Sequence, residues 1–72
     1  MNRTQAMSLL KELVAHNLVD DSYISILQVK SNQYRLKIKC NYDTSRLKEF
    51  AKNNKLFIEA DKERKYLDIY KP

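Results

Sequence analysis

The stretch 23–40 decides the fold, and it reads Tyr-Ile-Ser-Ile-Leu-Gln-Val, then Lys-Ser-Asn-Gln, then Tyr-Arg-Leu-Lys-Ile-Lys-Cys. Two runs of strand-forming residues flank a short polar segment, which is the pattern of a β-hairpin. In the second run, apolar residues alternate with Arg35, Lys37 and Lys39. Because successive side chains of a strand point to opposite faces, this strand is expected to bury one face and expose the basic one.

The first strand of this hairpin alternates less cleanly. Ile24 and Ile26 share one face, whereas Leu27 and Val29 fall on the other. This change of face predicts a bulge or twist near Ile26 and Leu27, or a strand partly buried on both sides. In the polar turn, Asn32 is the expected residue of positive φ, because Asn tolerates the left-handed region better than most other non-glycine residues.

A helix is predicted ahead of the hairpin, with Thr4 as its N-cap and its end near His16. Asn17 suits the left-handed position after a helix, and Leu18 is expected to fold back onto the last turn. The apolar residues at helical spacing in this segment are Ala6, Leu9, Leu10, Leu13 and Val14. The segment 20–22 is then a polar connector.

The second half of the chain repeats this order. A helix is predicted over 45–53, capped by Asp43 or Thr44 and stopped at Asn53-Asn54. A second hairpin follows, with strands near 56–60 and 66–70 around a turn at 61–65. The halves resemble each other faintly, which fits either a duplicated α-β-β unit or the ordinary similarity of amphipathic elements.

The order α-β-β-α-β-β predicts an α+β fold over 1–72, as one compact domain. Two helices would cover one face of a mainly antiparallel four-stranded sheet, in a two-layer sandwich. Lysines and arginines on the outer strands are expected to protect the sheet edges from pairing. The predicted core is Leu9, Leu10, Leu13, Ile24, Ile26, Leu36, Ile38, Leu47, Phe50, Ile58, Leu67 and Ile69.

Composition narrows the class of protein. The net charge of +5 permits binding to nucleic acid, but nine acidic residues are interspersed with the basic ones. A lone cysteine cannot form an internal disulfide, and neither a long apolar stretch nor a signal-peptide core is present, which predicts a cytoplasmic protein. The absence of glycine excludes P-loop and Rossmann fingerprints.

No catalytic constellation is visible in the sequence. His16 stands alone at a helix end, and Cys40 is expected to be a buried small hydrophobe. Asp20-Asp21 lacks the alternating oxygen ligands of a calcium loop. We therefore interpret it as a cap or a solvated connector. The sequence therefore predicts a non-enzymatic binding module with no cofactor, no metal and no small-molecule substrate.

The candidate site is the sheet face opposite the helices. Its predicted binding residues are Arg35, Lys37, Lys39, Phe57, Tyr66 and Tyr70, with Glu59 and Asp68 beside them. A protein-interaction surface, including self-association, is the first interpretation, since aromatic residues are enriched at interfaces. The alternative is single-stranded nucleic acid, with bases stacking on the rings and phosphates meeting the cations. A third possibility is a plain solvated face, in which the two acids pair with Lys37 or Lys39.

Overall fold

The computed structural model describes residues 1–39, 44–63 and 65–71. The predictions made for Cys40 and Asp43 lie outside these ranges. The predicted order of elements is confirmed. The elements are α1 (Arg3–Ala15), a 3-10 turn (Asp21–Tyr23), β1 (Ile24–Lys30), β2 (Gln33–Lys39), α2 (Ser45–Asn53), β3 (Phe57–Ala60) and β4 (Tyr66–Tyr70).

The four strands form one sheet in the order β1-β2-β4-β3, and every neighbouring pair is antiparallel. Each hairpin therefore contributes one central strand and one edge strand. Lys37 and Asp68 are opposite each other where β2 meets β4. The strand order is symmetric about the junction of β2 and β4, because each hairpin places its second strand in the centre and its first strand at the edge. Common descent of the halves stays a prediction.

Helix α1 begins one residue after Asn2, and the prediction of Thr4 as its N-cap is wrong. The Asn2 Oδ1 atom accepts a hydrogen bond from the Gln5 amide at 2.8 Å, and the Gln5 Oε1 atom accepts one from the Asn2 amide at 2.9 Å. This capping box satisfies two backbone amides at once, which a cap at Thr4 would not do. The helix therefore starts further towards the N-terminus than the apolar stripe alone indicates.

Replacing Asn2 by alanine should lower the free energy of unfolding by about 1 kcal/mol, the usual cost of losing a side-chain cap. The matched control is Thr4→Ala, which removes a polar side chain that is exposed within the first turn. Urea unfolding followed by circular dichroism measures both. A loss at Thr4→Ala equal to that at Asn2→Ala would contradict the capping assignment.

Both helices end in the same way, and neither uses glycine. Asn17 adopts a φ of 55°, and the Leu18 amide donates to the Leu13 carbonyl at 3.0 Å. At the end of α2, Lys55 adopts a φ of 56°, and the Leu56 amide donates to the carbonyl five residues earlier at 2.8 Å. These are Schellman motifs. The prediction for Asn17 is confirmed, and α2 stops at Asn53 as expected, although its left-handed residue is a lysine.

The core lies between the two helices and one face of the sheet. Its buried apolar residues are Ala6, Leu13, Val19, Ile24, Leu36, Ile38, Leu47, Ala51, Leu67 and Ile69. Five residues of the predicted core are only partly buried against it, namely Leu9, Leu10, Ile26, Phe50 and Ile58. Ala6 and Ala51 are buried instead, because a small side chain lets the helix backbone approach its neighbours closely.

The register of β1 corrects another prediction. Alternation continues unbroken from Ile24 to Gln28, and the register shifts only between Gln28 and Lys30. The bulge predicted near Ile26 and Leu27 therefore lies further along, because Leu27 stays on the exposed face instead of seeking the core. Single exposed apolar residues are common on folded surfaces. Asn32 in the following turn has a φ of 61°, as predicted.

Candidate interaction surface

Strand alternation places the candidate residues on the sheet face that the helices leave uncovered. The inner face of the sheet contributes Leu36, Ile38, Leu67 and Ile69 to the core. The residues between them in sequence must therefore point the other way. We call this surface the open face, and its members are Ser25, Leu27, Arg35, Lys37, Lys39, Phe57, Glu59, Tyr66, Asp68 and Tyr70. All six predicted binding residues lie on it.

Pairing between the strands arranges this face in rows. Leu27 pairs with Arg35, and Phe57 pairs with Tyr70. The guanidinium carbon of Arg35 lies 4.0 Å from the centre of the Tyr70 ring, which joins the two pairs. We call this line of four residues, Leu27–Arg35–Tyr70–Phe57, the cross-strand row. It spans all four strands and has an apolar side chain at each edge.

Arg35 is the centre of the open face. Its Nη1 atom lies 3.3 Å from the Glu59 Oε2 atom and 3.6 Å from the Asp68 Oδ2 atom, while its guanidinium carbon lies over the Tyr70 ring. Within the described residues both acids pair with Arg35, and not with Lys37 or Lys39 as the solvated-face interpretation assumes. A planar guanidinium can meet two carboxylates and stack on a ring at the same time, which a lysine ammonium cannot do.

Tyr70 is held on two further sides. Its hydroxyl donates to the Glu59 Oε1 atom at 2.6 Å, and the Phe57 ring meets its ring edge-on, with centres 5.5 Å apart. The hydrogen bond from Tyr70, followed by the charge of Arg35, holds the pKa of Glu59 below its ordinary value. The same hydrogen bond is the main cause that raises the pKa of Tyr70. The Glu59 carboxylate thus contacts both the Arg35 guanidinium and the Tyr70 hydroxyl and holds the two side chains together.

This network predicts a loss of stability in acid. The pKa of Glu59 is lower in the folded chain than its ordinary value of 4.5, so the ionised carboxylate stabilises the fold above about that pH. This contribution disappears as the pH falls through the folded pKa. Tyr70→Phe removes the donor and should weaken the acid dependence.

Urea midpoints at neutral pH and at several values below 4.5, for the original chain and for Tyr70→Phe, measure the effect. Asp20, whose carboxylate is hydrogen-bonded elsewhere, loses the same contribution in both proteins and cancels in the comparison. Two identical pH profiles would show that the Tyr70–Glu59 hydrogen bond does not stabilise the fold.

A second, smaller cation–aromatic pair lies beside the cross-strand row. The Lys37 Nζ atom is 4.6 Å from the centre of the Tyr66 ring. Tyr66 also pairs across the strands with Lys39, whose side chain is exposed. The candidate residues are therefore not one uniform patch. Arg35, Tyr70 and Phe57 form a fixed cluster, and Lys37, Lys39 and Tyr66 form a more basic area next to it.

Sequence reasoning missed the exposed apolar residues of β1, Leu27 and Val29. Among the described residues, the large apolar side chains that are exposed are Met7 at 41%, Leu27 at 41%, Val29 at 45% and Phe57 at 51%. Leu27 belongs to the cross-strand row, and Val29 borders a shallow depression of about 160 Å³ together with Arg35 and Tyr70. The change of face within β1 is the signal for these residues in the sequence, although it fits a bulge, a twist or a strand partly buried on both sides as well.

Asp20, considered above for cation binding, caps the 3-10 turn that follows it. The Asp20 Oδ1 atom accepts hydrogen bonds from the Ser22 amide at 2.9 Å and the Ser22 hydroxyl at 2.8 Å, which confirms the expected cap and lowers the pKa of Asp20. His16 is exposed at the C-cap of α1. Within the described ranges, no three His, Cys, Asp or Glu residues come together as metal ligands.

Comparison with protein-family models, with curated proteins and with solved structures finds no match for this chain. The helices of the described ranges are all too short or too polar to cross a membrane.

Proposed function

We propose that this chain is a non-enzymatic protein-interaction module that binds its partner through the open face. The observation that carries the proposal is the cross-strand row, in which Arg35 and Tyr70 are stacked between the exposed side chains of Leu27 and Phe57. Tyrosine, phenylalanine and arginine are enriched at protein interfaces, and arginine and tyrosine are frequent hot-spot residues.

The row is also held in place before any partner arrives. Arg35 is fixed by two carboxylates and one ring, and Tyr70 is fixed by a hydrogen bond and an edge-on contact. Ordering a long side chain upon binding costs about 0.5–1.5 kcal/mol, and a preorganised surface avoids much of that cost. Rigid anchors of this kind favour a defined protein partner.

The distribution of charge supports a protein over a nucleic acid. The cation at the centre of the open face is already compensated by Glu59 and Asp68. Arg35 covers one side of the Tyr70 ring, and Lys37 lies over the Tyr66 ring, so neither ring presents both faces to a base. Binding to single strands relies on open aromatic planes and on cations directed at phosphates.

Single-stranded nucleic acid remains our second proposal, and it concerns the basic area. Lys37 and Lys39 project from the same side of β2, close to Tyr66 and within reach of a polyanion. Lys37→Glu should abolish such binding and leave folding nearly unchanged. Binding of this kind would also weaken steeply as salt rises, since it releases counterions from the phosphates.

The test compares two apolar residues of similar exposure. Phe57 ends the cross-strand row, whereas Met7 lies on α1, on the other layer of the fold. The chain and its variants Phe57→Ala and Met7→Ala are immobilised, exposed to nuclease-treated lysate at low and high salt, and the retained proteins are quantified by mass spectrometry. We expect Phe57→Ala to lose a defined set of proteins that Met7→Ala keeps.

The same preparations are titrated with mixed-sequence single-stranded RNA and DNA, with Lys37→Glu included. Retention of nucleic acid that disappears in Lys37→Glu and in high salt would favour the second proposal. Equal protein retention by Phe57→Ala and Met7→Ala would overturn the first.

A further inference from the structure

Strand β1 is an edge strand, and its residues 24–28 carry none of the usual protection against pairing, because its register shift and its charge lie at its end. It spans seven residues, Ile24–Lys30, and its charged residue is Lys30 at the very end. The other edge strand, β3, spans only four residues. The expectation that lysines and arginines would protect the edges is wrong for β1, because Arg35, Lys37 and Lys39 lie on the central strand β2. Long edges without charges or proline tend to pair with another strand.

The backbone of β1 can accept such a partner along most of its length. The Tyr34 amide donates to the Met1 carbonyl at 2.9 Å, so it points away from β1 and from its pairing residue Gln28. Along an antiparallel pair, residues whose backbone groups bond to the partner strand alternate with residues whose backbone groups point away from it. The backbone groups of Ile24, Ile26 and Gln28 therefore point towards the outer edge, and within the described ranges no other strand pairs there.

We propose that β1 pairs antiparallel with β1 of a second copy of this chain, centred on Ile26. In this register Ile26 faces Ile26 of the other copy, and Ile24 faces Gln28. All three residues with outward backbone groups then find partners. Leu27 comes opposite Ser25 on the open face, while Ile26, only partly buried in one chain, gains an apolar neighbour on the inner face.

Charge at the two ends of β1 favours a second copy as the occupant. Asp20 and Asp21 are exposed four and three residues before the strand begins, and Lys30 is exposed at its end. Antiparallel pairing about Ile26 places Lys30 opposite Ser22 of the other copy, one residue from Asp21. The acidic end of each strand thus meets the basic end of the other, twice in every pair.

This pairing would join two four-stranded sheets into one of eight strands. The two open faces would become continuous across the new junction, with the two Leu27 side chains on the same side. The contact is narrow, and narrow interfaces associate weakly. The proposed dimer uses the edge of β1, whereas the proposed partner site uses the open face. Either proposal can therefore be overturned while the other stands.

The first test follows association directly. Sedimentation velocity of the whole chain, from about 10 μM to about 1 mM, covers the range in which small interfaces associate. We expect a dimer to form, with concentration-dependent amide NMR shifts concentrated at 24–28. Gln28→Pro removes an outward amide without breaking a bond to β2, and it should stay monomeric while keeping the fold.

The second test changes the charges at the two ends of β1 and leaves residues 24–29 unchanged. Asp21→Lys alone and Lys30→Glu alone should each weaken self-association by about five-fold, because each places like charges together twice per dimer. An equimolar mixture of the two variants should associate more tightly than either variant alone, since opposite charges then meet at both ends.

A monomer throughout the concentration range would overturn the proposal. The proposal would also be overturned if the mixture of Asp21→Lys and Lys30→Glu associated no more tightly than either variant alone. A dimer that survives Gln28→Pro and the charge changes but is lost in Phe57→Lys would show that the copies pack through their open faces instead.

Discussion

Replacing Leu36 by alanine is expected to remove about half of the stability of this fold. Leu36 is 0% exposed and lies on β2, where it pairs with Ile26 on one side and Ile69 on the other. Such truncations cost about 2–5 kcal/mol, through lost burial and the cavity left behind. A chain of 72 residues has a total of roughly 4–11 kcal/mol to lose.

Thermal and urea unfolding of Leu36→Ala measure this loss. The matched control is Leu27→Ala, which makes the same chemical change next to Leu36 in the sheet but on the open face, at 41% exposure. We expect that control to cost less than about 1 kcal/mol. Comparable losses in both variants would mean that the two faces of the sheet are not assigned correctly.

Replacing Arg35 by alanine should have the largest effect on partner binding. The change removes the cation shared by Glu59 and Asp68 and uncovers the Tyr70 ring, so two carboxylates are left close together. Truncation of a hot-spot residue costs at least about 2 kcal/mol, which is roughly 30-fold in affinity. We therefore expect retention of the partner proteins to fall at least that far.

Arg35→Lys is the informative companion variant. It keeps the positive charge but lacks the planar group that stacks on Tyr70 and reaches two carboxylates. If the row acts as a preorganised surface, Arg35→Lys should bind nearly as poorly as Arg35→Ala, whereas a purely electrostatic role would leave binding intact. Affinity measured by calorimetry with a captured partner separates these cases, and amide NMR spectra confirm that both variants remain folded.

The roles of the basic residues show where prediction from sequence stopped. Alternation in 34–39 placed Arg35, Lys37 and Lys39 on one face, and the structure confirms that placement. Alternation could not indicate which basic side chain would pair with Glu59 and Asp68. Glu59 is 24 residues from Arg35 in sequence, and the two meet only because β4 lies between β2 and β3 and brings Tyr70 and Asp68 beside both.

Local features of the chain were largely determined by the sequence itself. The periods of the apolar residues, the turn at Asn32 and the left-handed Asn17 each depend on interactions within a few residues, so the element order and the two-layer arrangement could be predicted. The exception, the N-cap at Asn2, was also local and lay in the Asn-x-x-Gln spacing.

Only the tertiary structure decided the strand order, the pairing of Arg35 with Glu59 and Asp68, and the exposure of the β1 edge. These depend on which hairpin strand lies in the centre of the sheet, and that choice is made by packing between segments far apart in the chain. Side-chain alternation assigns a residue to a face, but it carries no information about the neighbouring strand. For that reason the six predicted binding residues could be assigned to the open face from the sequence, whereas their contacts could not.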